Sequence, residues 1–226
     1  MSRWFMMVTN YFGFFNILVE TGIKMTLQEI HTKYDTDKGT VHSYIPIYDN
    51  LFAPFQNKPI NLLEIGALTC GSLKMFSEYF ESGTIYGIDN WTQWWTYDLS
   101  RINVQNIISD VKTNWPRINL ITSDSTDKKS IDTKLQGLKF DIILDDGNHD
   151  PQVQFKTFTN LIEYLNQDTG IYIIEDIVYV IPLKLEIEDY IKTHKLPLVC
   201  STYFSNKYTG SDDNLIIIKP KPNEAN

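Results

Sequence analysis

The chain has little cysteine, no long unbroken apolar run and no block of basic residues, and each shortage excludes something. Its 2 cysteines are Cys70 and Cys200. They supply neither a disulfide framework nor the paired spacing of a zinc site, so a reducing compartment and a cytoplasmic protein are expected. A membrane-spanning helix needs about 20 mostly apolar residues. The nearest approach, WFMMVTNYFGFFNILV at 4–19, is interrupted by Thr9, Asn10, Gly13 and Asn16, so no stable span is expected. Arg3 precedes it, but no small-residue cleavage site follows. The segment reads as a helix packed on the domain or on a second copy of the chain, with a membrane-surface anchor as the alternative. Met25 offers a second start that would leave it dispensable. The formal net charge is −8, and no Lys/Arg cluster offsets it, so a nucleic-acid backbone is not an expected partner. No internal repeat or low-complexity tract is present.

What is present is a regular alternation. Of 226 residues, 42% are hydrophobic and 21% charged, enough for one good-sized core. From residue 60 onward, INLLEIG, TIYGID, INLIT, FDIILDD and GIYIIED read as buried strands. Amphipathic stretches lie between them: Leu73, Phe76 and Phe80 recur at helical spacing, as do Phe155, Phe158, Ile162 and Leu165. This pattern predicts an α/β fold, a mostly parallel sheet with helices on both faces. The end differs. LPLVCSTYF and DNLIIIKP are joined by the turn-rich SNKYTGSD with no helix between, which predicts an antiparallel hairpin at the sheet edge. Residues 1–50 read as an N-terminal helical cap and 51–226 as the catalytic domain.

Open α/β sheets bind ligands beyond the carboxyl ends of their strands. The first strand runs into LEIGALTCGS, where Gly66 and Gly71 bracket a loop that opens a helix. Glycine there lets backbone approach a ligand, and a helix start offers free N–H groups. Asp89 ends the second strand and can accept both hydroxyls of a ribose. Asp124, with Ser125 beside it, ends the third and can meet an adenine amino group. These groups suit an adenosine. The fingerprint Gly-x-Gly-x-x-Gly is absent, so a diphosphate seat is not supported. Glu64 instead puts a carboxylate beside the glycine loop, which suits an ammonium or sulfonium group. S-adenosylmethionine has both.

LLEIGALTCGSLKMFSEYF, IYGIDN, FDIILDDGNH and GIYIIEDI together resemble the class I S-adenosylmethionine-dependent methyltransferases. More narrowly they resemble the metal-dependent sugar O-methyltransferases that include the macrocin and mycinamicin enzymes. The likeness runs from about residue 28 to residue 219, and DDGNH paired with a downstream IED is its most specific mark. It implies a Rossmann-like sheet of seven strands with the last antiparallel. It implies cofactor contacts at Glu64, Gly66, Ser72, Asp89 and Asp124. It implies a divalent ion, usually magnesium, at Asp146, Glu175 and Asp176, with His149 as general base. This chain departs from the family at Asn148, where serine is more frequent, and at Asp35, where a Tyr-Gly-Thr-Asp-Lys stretch has its glycine. The second departure bears on Thr36, Asp37 and Lys38 near the cofactor.

The chemistry agrees with that resemblance. A sugar hydroxyl is a poor nucleophile while protonated. A cation held by hard oxygen ligands stabilises the developing alkoxide, and a neutral imidazole can take the proton. Asp146 and His149 share one short loop, and Glu175 and Asp176 end the neighbouring strand. Asp145 is open to three readings: a cofactor-side residue, a group that fixes the loop, or the metal ligand in place of Asp146. Plainer readings stand beside these. The aspartates can cap the next segment, His149 can be structural, and Glu175–Asp176 can be a solvated turn. Trp91, Trp94 and Trp95 either wall the pocket or pack elsewhere, and His31, His42 and His194 read as ordinary core or surface residues. DTDKG at 35–39 looks like a calcium loop but fails, because its twelfth position is Pro46. The expected activity is methyl transfer from S-adenosylmethionine, with Mg2+, to a hydroxyl of a sugar or nucleotide sugar. The competitors are a catechol-like phenol acceptor, an NAD-type oxidoreductase and a non-catalytic binding protein.

Overall fold

A computed structural model of the chain describes residues 24–92, 103–205 and 212–222. The aromatic N-terminal stretch, Trp94, Trp95 and most of SNKYTGSD lie outside them. The strands are β1 (Asn61–Ile65), β2 (Thr84–Asp89), β3 (Ile118–Thr122), β4 (Ile142–Asp145), β5 (Ile171–Ile174), β6 (Leu198–Phe204) and β7 (Asn214–Pro220). They form one sheet in the order β3-β2-β1-β4-β5-β7-β6. The first five are parallel, β7 runs antiparallel to β5, and β6 pairs antiparallel with β7 at the edge. The expected mostly parallel sheet with a C-terminal hairpin is what forms.

Side chains alternate across a strand, and that parity assigns each residue to one of two cores. Leu62, Ile142, Leu144, Ile171 and Ile173 face the layer of α1 (Leu27–Ile30), α2 (Ile45–Phe52), α3 (Gly71–Tyr79) and α4 (Val104–Asn114). Leu63, Ile65, Ile143, Tyr172 and Ile174 face α5 (Lys128–Lys134), α6 (Pro151–Leu161) and α7 (Val180–Thr193). On the first face Tyr48, Phe52, Phe76 and Phe80 form an aromatic chain linking α2 to α3. The helix starts are locally encoded. Thr26 and Glu29 make a reciprocal capping box on α1, and Asp150 caps α6 ahead of Pro151. No helix among the described residues is long and apolar enough to cross a membrane.

The strand order turns outward in opposite directions from β1 and β4, which opens a crevice at their carboxyl ends. Gly66 lies in its floor with φ +88, and a Cβ there would stand 2.0 Å from the backbone oxygen of Asp146. Gly66→Ala therefore carries both the left-handed penalty of roughly 1–3 kcal/mol and a backbone clash. Chemical denaturation should register a loss above that range. An unchanged midpoint would mean that the loops of β1 and β4 move apart freely.

Candidate active site

The ladder continues past the strand ends and ties the loops of the crevice together. Gly66 N–H donates to Ile88 O at 2.9 Å, Asp146 N–H to Ile65 O at 3.0 Å, and Glu175 N–H to Asp145 O at 2.9 Å. Polar side chains from β1, β4 and β5 are thereby held side by side.

On the β1–β2 side, Ser72 at the start of α3 donates to Glu64 Oε2 at 2.6 Å. The N-cap of α3, Cys70, is left-handed and provides no side-chain cap, so no side chain competes for the first N–H groups. Asp89 accepts from Leu68 N–H at 3.0 Å and Trp91 N–H at 2.6 Å. Burial raises its carboxyl and these backbone bonds oppose that rise. Trp91 is buried and donates through Nε1 to Leu68 O at 3.3 Å, so it packs on the glycine loop. Asp124 is exposed and accepts from Thr126 N–H at 2.8 Å. The Ser125 hydroxyl bonds Thr157 on α6 at 2.9 Å. Both residues stand at the end of β3, but each has a local partner.

On the β4–β5 side, Asp146, His149 and Asp176 present donor atoms within 4.8 Å of one another. His149 Nε2 is 3.6 Å from Asp146 Oδ1 and 3.5 Å from Asp176 Oδ2. Alternation answers the question about the two aspartates. Asp145 closes β4 on the second face, is 1% exposed, and accepts only a long 3.4 Å bond from Gly147 N–H. Burial pushes its carboxyl up to about 8, so it is neutral at pH 7. Asp145 lies outside the cluster, which Asp146, one residue later, joins. Glu175 follows β5 with first-face parity and is not among the donor groups that meet at His149. Its Oε2 accepts from Lys38 Nζ at 2.8 Å, and the buried Tyr48 hydroxyl lies beside the same carboxylate.

A neutral His149 is not what the geometry gives. Burial would lower the imidazole, but Asp146 and Asp176 outweigh it and raise it to about 9. The ring is protonated at pH 7 while those two carboxylates face it uncompensated.

Two residues of the segment before β1, His42 and Tyr44, were not anticipated as site residues, and Lys38 was named only as near the cofactor. Lys38, 1% exposed, donates to Asp146 Oδ2 and Glu175 Oε2 and lies 3.3 Å from Glu64 Oε1. Tyr44 donates to Asp176 Oδ1 at 2.5 Å. His42, stacked on Tyr44, brings Nδ1 to 3.3 Å from Asp176 Oδ1 and 3.5 Å from Asp213 Oδ1. The sequence signal for Lys38 was the DTDKG stretch itself, and nothing marked His42 or Tyr44. His31 and His194 bond backbone carbonyls of their own helical turns at 2.9 Å, as expected of ordinary histidines.

No protein-family model matches the chain. It is 30% identical over 167 residues to demethylmacrocin O-methyltransferase of Streptomyces fradiae, covering 70% of this chain and 38% of that protein. It is also 30% identical over 162 residues to mycinamicin VI 2''-O-methyltransferase of Micromonospora griseorubida, covering 68% of this chain and 36% of that protein. A tetracenomycin-C rhamnosyl 2'-O-methyltransferase of Streptomyces olivaceus is 28% identical over 153 residues, covering 64% of this chain and 36% of that protein. The chain thus spans less than two-fifths of the length of these relatives. Among solved structures, MycE methyltransferase from the mycinamycin biosynthetic pathway, in complex with Mg and SAH, matches with a TM-score of 0.68 and 23% identity, over 89% of this chain and 56% of that one. The chain has the class I methyltransferase fold and is homologous, over about two-thirds of its length, to sugar O-methyltransferases of the macrocin and mycinamicin type.

Proposed function

We propose that the chain transfers a methyl group from S-adenosylmethionine to a hydroxyl of a sugar, free, glycosidic or nucleotide-linked, with a divalent cation bound at the acid cluster. The observation that carries this reading is the meeting of Asp146, His149 and Asp176 beside the Gly66–Gly71 loop. The relatives support the acceptor class: one is named for a rhamnosyl group, and MycE was solved with Mg, SAH and mycinamycin VI. An NAD-type reading lacks a diphosphate seat, and Glu64 would repel one.

The donor set fits magnesium or manganese, because hard carboxylate oxygens are suitable ligands. Asp146 and Asp176 would hold the cation, with Glu175 as the third carboxylate. When bound, the cation supplies positive charge that favours loss of the acceptor proton. The chain's own residues do the rest. Glu64, Ser72 and the first turn of α3 receive the donor's charged end, and Asp89 its ribose hydroxyls. Asp124 and Ser125 stand where the adenine would lie. His149 Nε2 takes the acceptor proton once a cation has compensated Asp146 and Asp176, because the ring then falls back toward its ordinary value of about 6.5. Two unpaired cysteines, one of them buried, suit a reducing compartment.

The state of His149 is measurable. Its folded value lies above the unfolded one, so its contribution to stability is complete below about pH 6.5 and is lost as pH rises through about 9. Imidazole proton resonances of the metal-free protein should titrate near 9, and saturating magnesium should lower that midpoint by about one unit or more. A midpoint near 6.5 that ignores magnesium would remove Asp146 and Asp176 from the ring's surroundings.

Binding and chemistry should separate by residue. Asp89→Ala loses charge-assisted hydrogen bonds of roughly 1.5–3 kcal/mol, so S-adenosylhomocysteine should bind about one to two orders of magnitude more weakly. His149→Ala should leave that affinity nearly unchanged and slow turnover by roughly 10²–10⁴-fold. Calorimetry and single-turnover methyl transfer, run on both variants, read the two effects. The opposite pattern, lost binding with normal turnover in His149→Ala, would make DDGNHD a cofactor-side loop.

A further inference from the structure

We infer that Lys38 is a positioning residue that joins the methyl-donor half of the site to its acid half, so that binding of donor and of divalent cation is energetically linked. This deepens the function proposed above and rests on it.

Burying an ammonium is costly unless carboxylates and hydrogen bonds meet it. Lys38, at 1% exposure, is met by three carboxylates from three neighbouring strand ends: Glu64 of β1, Asp146 after β4 and Glu175 after β5. An ammonium has three N–H groups, and the three acceptors surround it. Each carboxylate gives the lysine one oxygen and turns the other to a different task. Glu64 Oε2 takes the Ser72 hydroxyl at the start of α3. Asp146 Oδ1 faces His149. Glu175 Oε1 is buried on the side away from the ammonium, with the Tyr48 hydroxyl beside this carboxylate. Lys38 therefore decides which oxygen each acid presents.

The lysine is itself held from behind. Asp37 O accepts from the backbone N–H groups of Thr40, Val41 and His42, each at 3.0 Å, and Lys38 O accepts from Tyr44 N–H at 3.0 Å. Its ammonium is thus delivered by a formed turn. Nearly closed to solvent, it acts through the acids. A change of charge at Glu64 redistributes its pull on Asp146 and Glu175, which is a coupling between two binding sites.

The test uses the full chain, Lys38→Met, Glu64→Gln and the double variant. Manganese affinity is read from the electron paramagnetic resonance of the free ion, S-adenosylhomocysteine affinity by calorimetry, and folding by circular dichroism and melting. Partners that orient metal ligands typically contribute 10–100-fold to metal affinity. Lys38→Met should accordingly bind manganese at least about tenfold more weakly and should also lose affinity for S-adenosylhomocysteine. Glu64→Gln, a change on the donor side, should weaken manganese binding when Lys38 is present and have no effect when it is methionine. Lys38→Met with a lower melting temperature but both affinities intact would overturn the inference, leaving the lysine as a structural counter-charge. If Lys38→Met does not fold, Glu64→Gln alone decides, and unchanged manganese affinity overturns it. An unaltered chain that binds neither probe would instead overturn the proposed function, and this inference with it.

Discussion

Buried negative charge is the constraint on which the rest of this structure depends. Glu64, Asp145, Glu175 and Asp176 are each at most 4% exposed, and all four stand at the ends of adjacent strands. An ionised carboxylate loses several kcal/mol on leaving water unless it is paired. The fold meets that cost differently at each position. Burial raises Glu64 to about 7 against the opposing pull of Lys38. Burial also raises Glu175, again with Lys38 opposing. Asp176 rises to about 6 under burial and the charge of Asp146, moderated by His42 and the Tyr44 hydroxyl. Burial raises Asp145 to about 8 against the weaker pull of the Gly147 N–H and of His149. Asp146 is half-buried beside them yet lowered, because Lys38 and His149 outweigh the desolvation. Acids a few ångströms apart thus hold different protonation states, the condition under which one site can both bind a cation and move a proton.

The same polar groups hold strained backbone. Leu68, Cys70, Trp91 and Asp176 have positive φ values between 49 and 63, and all four lie just beyond the carboxyl ends of β1, β2 or β5. Each such residue costs on the order of 1–3 kcal/mol. Asp89 accepts the N–H groups of Leu68 and Trp91, and the Tyr44 hydroxyl lies 3.3 Å from the N–H of Asp176. Strain and ligand-facing groups are therefore one construction. The turn that aims the Asp176 carboxylate at His149 is kept in place by the phenol that also bonds that carboxylate.

Local pattern accounts for what was legible in the sequence. Strands from INLLEIG to GIYIIED, the terminal hairpin and the helical register of Leu73, Phe76 and Phe80 follow from periodicity and turn residues. Period-two alternation also bears on the site: counting from Leu62 and Ile142 separates Glu64 from Asp145, one on each face. What local pattern does not carry is contact between distant segments. Nothing near residue 38 says that its ammonium will sit 108 positions away against Asp146. Nothing near residue 42 says that its ring will reach Asp176. The charge state of His149 was missed for the same reason. It depends on distances to Asp146 and Asp176, and only the first of these acids shares its loop.

The crevice between β1 and β4 divides the proposed chemistry, with the donor's seat on the β1–β2–β3 side and the acids on the β4–β5 side. Lys38 lies beneath the boundary, and its charge bears on both. A sulfonium donor is cationic, while the thioether left after transfer is neutral. An unopposed Glu64 carboxylate would hold the donor firmly in the ground state that the reaction must leave, and uniform or ground-state binding does not accelerate the chemical step. Lys38 at 3.3 Å from Glu64 Oε1 weakens that attraction without abolishing it. The same ammonium holds Asp146 and Glu175 together against their mutual repulsion, so each keeps an oxygen turned to a fixed direction. One buried lysine thus fixes the acids of both halves in place, which is a physical reason for a basic residue at the centre of a site built to receive cations.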